Sequence, residues 1–409
     1  MNHATASAAQ FFLQLSVILV ACALCRMLMR SIGQPPVIGE MVAGVLLGPS
    51  LLGALFPNLA HALFSQETRP VLFAVAQLGL TLYMFVVGLE FRSDLFRQHL
   101  RTAAAVSIAG ILGPFVLGGG IALWLSHLGG FFANTVTGPM AVLFIGAAMS
   151  ITAFPMLARI ILEQGLSGTP MGTIALAAGS FDDAAAWILL AVVLGCIAGS
   201  PLLAVAALVG GILYALLCLK AVHPLLKWLG NQSTAESGLM GTLLILLSLG
   251  AWFTDAIGLY SVFGAFFFGM AVPRNGMAEK AAERVAPLTT TLLLPFFFTY
   301  SGLNTRIGLL NSTTLWMICG LITLAAIGGK LFACYGAARL SGESSKDSLT
   351  IASLMNARGL MELILLNIGL QAGLITQTLF TMLVLMAVIT TLMAAPGFRA
   401  SKKFSDNSC

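Results

Sequence analysis

Asp182 and Asp183 stand side by side in the apolar run Gly172-Thr-Ile-Ala-Leu-Ala-Ala-Gly-Ser-Phe-Asp-Asp-Ala-Ala-Ala-Trp-Ile-Leu-Leu-Ala191, long enough to cross a bilayer as one helix. A carboxylate at that depth is costly unless it is neutral, paired or faces a wet cavity, so a pair of them points to a proton or cation site. Neighbouring residues on a helix point about 100° apart, so the two acids cannot serve the same role. One can face an ion cavity while the other meets a counter-charge. A carboxylate that holds either a proton or a cation exchanges the two by competition, and exchange is obligatory if the site faces either side but does not cross empty.

A counter-charge is present in the sequence. Lys330 lies deep in Leu321-Ile-Thr-Leu-Ala-Ala-Ile-Gly-Gly-Lys-Leu-Phe-Ala-Cys334, beside two glycines that let another backbone come close. About 13 Å of helix separates it from Arg339, too far for its stem to snorkel to the interface. The aspartate pair is the opposite charge that would relieve its desolvation.

Two irregular stretches supply the rest of a candidate site. In Ala148-Met-Ser-Ile-Thr-Ala-Phe-Pro-Met-Leu157, Pro155 lacks a backbone donor and clashes with the carbonyl of Ile151, which predicts a helix broken at membrane depth. Such breaks surround ion sites in transporters. The second stretch is Asn356-Ala-Arg-Gly-Leu-Met-Glu362, where Gly359 is a weak breaker and Arg358 precedes Glu362 by four, a spacing that pairs charges along one helix face.

These residues need a membrane to make sense, and the composition supplies it: 58% hydrophobic residues against 9% charged, with mean hydropathy +0.97, exclude a soluble globular domain. Apolar stretches predict thirteen spans, near 11–30, 37–56, 71–90, 102–126, 139–162, 170–196, 201–222, 238–254, 258–272, 286–302, 314–338, 348–371 and 375–395. Alternate loops, beginning after the first span, collect sixteen of the 20 Lys and Arg, whereas the opposite loops hold only Arg69 and Arg306. Basic residues mark the cytoplasmic side, so the N-terminus is predicted outside and the C-terminus inside. The net charge of +5 belongs to those loops, and no basic patch interleaved with aromatics suggests nucleic acid. Residues 1–10 carry no basic n-region, so the first span is expected to be retained. The seven cysteines, Cys22, Cys25, Cys196, Cys218, Cys319, Cys334 and Cys409, lack metal-ligand spacing and read as packing residues. Glu40 lies near the turn Gln34-Pro-Pro36 and reads as interfacial, while Glu90 and Asp255 fall near span ends.

The interrupted fifth and twelfth spans lie seven apart, as an N-terminal span followed by two groups of six would place them. An odd offset reverses their direction, which is what inverted-topology repeats require.

Along nearly its whole length the chain resembles the monovalent cation:proton antiporter-2 family. Gly33-Gln-Pro-Pro-Val-Ile-Gly-Glu-Met-Val-Ala-Gly-Val-Leu-Leu-Gly-Pro-Ser-Leu-Leu-Gly53 is similar to that family's second-span signature. Leu80-Thr-Leu-Tyr-Met-Phe-Val-Val-Gly-Leu-Glu90, Thr152-Ala-Phe-Pro155, Phe181-Asp-Asp183, Pro295-Phe-Phe-Phe-Thr-Tyr-Ser-Gly-Leu303 and Arg358-Gly-Leu-Met-Glu-Leu363 resemble further family motifs in the same order. The resemblance implies an all-α membrane antiporter domain over 1–398 with an NhaA-like fold, in which two discontinuous helices cross at Thr152, Ala153, Phe154, Pro155, Asn356, Arg358, Gly359 and Glu362. It implies a mobile core of spans 4–6 and 11–13, about 102–196 and 314–395, with the other spans forming a dimerisation domain of a homodimer in the cell inner (plasma) membrane. Asp183 is then the cation and proton carrier, with Asp182 and Thr152 beside it as cation ligands, and Asp182 pairs with Lys330. Kef-type potassium members carry a C-terminal nucleotide-binding domain, whereas only a short cytoplasmic tail, 399–409, follows the last span here, so regulation by nucleotide in cis is not expected.

Sodium is the cation favoured by the resemblance; a Kef-type potassium/proton antiporter without its regulatory domain and an organic-anion transporter on a related inverted-repeat fold are the alternatives. A cation channel would need a repeated filter loop, which is not seen. An intramembrane aspartyl enzyme would carry its two acids on separate helices, so no enzyme activity and no cofactor are expected.

Overall fold

The computed structural model describes residues 3–34, 36–90, 99–166, 169–197, 201–232, 236–257, 261–274 and 276–406. Among them the regular secondary structure is helical, apart from one isolated antiparallel bridge between Phe132 and Ile375. In chain order the helices are α1 His3–Ser31, α2 Pro36–Leu47, α3 Leu52–Leu55, α4 Pro57–Leu63, α5 Arg69–Glu90, α6 Leu100–Leu128, α7 Gly138–Ser150, α8 Phe154–Glu163, α9 Pro170–Ile197, α10 Pro201–Leu217, α11 His223–Gln232, α12 Glu236–Ala256, α13 Ser261–Ala271, α14 Met277–Leu288, α15 Leu294–Leu303, α16 Thr313–Leu340, α17 Ser345–Met355, α18 Leu360–Gln371 and α19 Gln377–Asp406. Seven helical stretches among the described residues are long and apolar enough to cross a membrane. Helix is what a bilayer demands of such a chain, because it satisfies every backbone polar group within the segment.

The chain forms two compact units. The first, Met1–Val20, His61–Ser93 and Leu194–Tyr300, packs α5 against α13. A Cβ on Gly269 of α13 would lie 2.9 Å from the Cα of Gly88 on α5, so only glycine permits this approach. α10 continues into α11 through a π-helical turn, Cys218–Val222, and α14 into α15 through another, Thr289–Leu293. Tyr214 ahead of the first π-turn donates to the Gly264 carbonyl at 3.0 Å. His223 behind it contacts the Ala271 carbonyl through Nδ1 at 2.9 Å, so that nitrogen carries the proton. Glu90 and Asp255 are exposed.

The second unit, Ala21–Ala60, Asp94–Val193 and Ser301–Cys409, contains the aspartate pair. Here α6 packs on α7 and α16, and α17 packs on α16 and α19. Ser312 and Ser344 cap α16 and α17 by accepting from Leu315 N at 3.2 Å and Asp347 N at 3.1 Å. Of the two glycines before Lys330, Gly329 faces a neighbour: a Cβ there would lie 3.2 Å from the Cα of Pro114 on α6, whereas Gly328 meets only Phe332 of its own helix. The Lys330 side chain also runs along α6, its Cε 3.7 Å from where a Cβ on Gly110 would stand. Glu40, read as interfacial from the sequence, is buried, and its Oε1 lies 3.5 Å from Arg26 Nη1 on α1.

Both irregular stretches are breaks. Residues 151–153 separate α7 from α8, and residues 356–359 separate α17 from α18. Pro155 is the second residue of α8, where a missing N–H leaves no intrahelical bond unmade. Cys22, Cys25, Cys218, Cys319 and Cys334 are buried free thiols. Cys409 lies outside the described residues, as does the Cys196 side chain.

Candidate functional site

The two breaks meet. Ala153 N donates to the Ala357 carbonyl at 3.1 Å, and Thr152 Oγ1 lies 3.3 Å from the Met355 carbonyl. A Cβ on Gly359 would stand 3.4 Å from that of Ala153 and 3.5 Å from Met156 Cε, so the two breaks pack closely.

Each half-helix presents its end to this meeting point. The last carbonyls of α7 carry the negative end of a helix dipole and have no intrahelical donor. Two buried cations take them. Arg358 donates through Nη1 to the Ala148 carbonyl at 3.0 Å and through Nη2 to the Met149 carbonyl at 2.5 Å. Lys330 Nζ donates to the next carbonyl, that of Ser150. The first turn of α8 offers the opposite sign, and Phe154 N points at Asp183 Oδ1, 3.5 Å away.

The two aspartates, both 1% exposed, diverge as their spacing on α9 requires. Asp182 is fully engaged. Its Oδ2 receives Lys330 Nζ at 3.1 Å and Thr152 Oγ1 at 2.5 Å, and its Oδ1 receives Ser107 Oγ of α6 at 2.6 Å. A buried ion pair is tolerable when further hydrogen bonds satisfy the remaining lone pairs, and here two hydroxyls do so. Asp183 differs: besides the long contact to Phe154, its Oδ2 has no hydrogen-bond partner among the described residues. A buried carboxylate oxygen left open is a seat for a proton or a cation.

Arg358 and Glu362 pair at 3.4 Å, both with no exposed side-chain surface. They do not share a helix face: Arg358 lies in the break and Glu362 in the first turn of α18. The arginine therefore links that turn to the end of α7. Thr391 of α19 holds its backbone, accepting from Arg358 N at 3.2 Å and donating to its carbonyl at 3.0 Å. Asn356 is buried in the second break, and its Nδ2 lies 3.4 Å from the Ala352 carbonyl. Thr152, Ala153, Phe154, Asn356, Arg358, Gly359 and Glu362 are thus brought together with Asp182, Asp183 and Lys330, while the side chain of Pro155 lies outside what is described.

Sequence reasoning missed Ser107 and Thr391. A small hydroxyl in an apolar span signals an interhelical hydrogen bond, but the chain has many such residues and none marks its partner. No group of three His, Cys, Asp or Glu suited to a metal ion occurs among the described residues.

Residues 16–400 match the family model described as sodium/hydrogen exchanger, transmembrane. The chain is 40% identical over 386 residues to the Na(+)/H(+) antiporter NhaS4 of Synechocystis sp., covering 93% of this chain and 94% of that protein. It is 33% identical over 401 residues to K(+)/H(+) antiporter 1 of Saccharomyces cerevisiae, covering 94% of this chain but 46% of the yeast protein. In fold it resembles the solved sodium proton antiporter MjNhaP1 from Methanocaldococcus jannaschii, with a TM-score of 0.66 at 17% identity over 96% of this chain and 99% of that one.

Proposed function

The chain belongs to the sodium/hydrogen exchanger family, and from that premise we propose that it carries a monovalent cation and protons in opposite directions across a membrane, with Asp183 as the carrier. One observation supports this above the rest: Asp183 keeps a buried carboxylate oxygen without a partner, while its neighbour Asp182 is held by Lys330, Thr152 and Ser107. Cation and proton compete for the open oxygens of Asp183. Asp182 and Lys330 balance each other when that seat changes charge, and Thr152 fixes the distance between the first break and Asp182.

Sodium is the favoured cation, following the name of the cyanobacterial relative. Potassium is the second reading, following the name of the yeast one. In both, the segments about 102–196 and 314–395 act as the moving core and the remaining spans dimerise. The proposed topology has thirteen crossings in NhaA-like inverted repeats, with the N-terminus outside and the C-terminus in the cytoplasm of a cell bounded by this inner membrane. The site then opens alternately to either side.

Purified protein in liposomes loaded with a pH dye tests the reading. Addition of sodium to wild type is expected to evoke proton movement, and Asp183→Ala to abolish it. Parallel additions of potassium and lithium name the ion. Proton movement that survives Asp183→Ala would remove Asp183 as the carrier.

A further inference from the structure

Asn356 is 4% exposed, and its Oδ1 has no hydrogen-bond partner among the described residues. The amide nitrogen faces Ala352 of its own helix, so the oxygen is the end left over. An unpaired amide carbonyl in so dry a place is destabilising unless a donor or a positive charge meets it. The register of the two breaks sets where it lies. Met355 before it meets the Thr152 hydroxyl, and Ala357 after it accepts from Ala153 N. The next residue along the first break, Phe154, carries the N–H that faces Asp183. Asn356 is therefore pinned on both sides opposite the stretch of chain that leads to Asp183.

Glu362 Oε1 is the other open carboxylate oxygen near the breaks, but its residue is already bound to the Arg358 guanidinium, whose charge repels a second cation. Asn356 makes no hydrogen bond to either member of that pair among the described residues. Amide carbonyls are hard oxygen donors suited to alkali cations, and a neutral donor adds coordination without a second negative charge to balance.

We propose that the side-chain carbonyl of Asn356 is a ligand of the transported cation, so that the binding seat is built from the second break as well as from Asp183. This rests on the exchanger reading above, and it deepens that reading by naming a residue that holds the cation without holding a proton.

Cation-dependent thermal stabilisation of the purified protein tests it without requiring transport. Sodium, lithium and potassium chlorides are titrated at constant ionic strength against wild type, Asp183→Ala, Asn356→Ala and Asn356→Asp. Loss of a charge-assisted ligand is expected to raise the half-maximal cation concentration about tenfold in Asn356→Ala. Asn356→Asp keeps the oxygen and adds charge, and is expected to bind the cation more tightly than wild type. Unchanged affinity in Asn356→Ala, with stabilisation lost in Asp183→Ala, would overturn the inference and leave the exchanger reading standing. Equal weakening in both Asn356 variants would assign the residue to packing and overturn it too. Wild type that no cation stabilises would overturn both readings. If Asn356→Ala does not fold, Asn356→Asp decides alone, because an added carboxylate that leaves affinity unchanged cannot be a ligand.

Discussion

The two breaks, at 151–153 and 356–359, look like variants of one device, yet they are held by different chemistry. At the first, three successive carbonyls at the end of α7 receive two cations, neither of which belongs to α7 or α8: Lys330 comes from α16 and Arg358 from the opposite break. At the second, the end of α17 meets neutral donors only among the contacts seen, the Thr152 hydroxyl at Met355 and the Asn356 amide at Ala352. Its following half-helix carries its own acid, Glu362, in the first turn, where the dipole favours a negative charge. The difference teaches that the first break is the electrically loaded one, and that the second acts partly as a frame that delivers a guanidinium to it.

The comparison is most exposed at Arg358. Arg358→Ala would leave Glu362 and two helix-end carbonyls buried without a donor, at a cost of about 3–5 kcal/mol. A large drop in melting temperature and in yield of folded protein in detergent is expected, with Arg358→Lys recovering only part because one ammonium cannot copy the fork. A mild loss would mean that the first break does not depend on the second. Next comes Ser107→Ala, which strips one hydroxyl from Asp182. Hydrogen bonds to charged groups are worth about 1.5–3 kcal/mol, and the loss is expected to be larger in wild type than in an Asp182→Asn background, as a double-mutant cycle of melting free energies reads. The smallest effect is assigned to Thr391→Val, which frees the backbone of Arg358 at the second break for about 1 kcal/mol. If Thr391→Val proved costlier than Ser107→Ala, the ranking of the two breaks would reverse.

What was readable beforehand followed from local rules. Hydropathy located the helices because each apolar stretch must satisfy its own backbone, and Pro155 located the first break because its ring and missing N–H act on adjacent turns. Asp182, Asp183 and Lys330 stood out because charge is rare in such segments. The partners that complete the site were hidden for a common reason. Ser107, Thr391 and the α7 carbonyls reach their partners across helices, 75, 33 and about 210 residues away in the chain, and no periodicity carries that information. The four-residue spacing of Arg358 and Glu362 did mark a pair that forms, at 3.4 Å, but not that the break lets the same arginine also reach the α7 carbonyls of Ala148 and Met149.

The π-turn at Cys218–Val222, far from this chemistry in sequence, sets an angular phase. In a regular helix, nine residues advance about 900°, so Tyr214 and His223 would point to opposite sides. Both nevertheless reach carbonyls of α13, at Gly264 and Ala271. A π-turn absorbs one residue, leaving an advance equivalent to eight, and the two side chains then stand about 80° apart. Deleting one residue from this turn would therefore keep both side chains facing α13, while straightening it at constant length would carry one of them away.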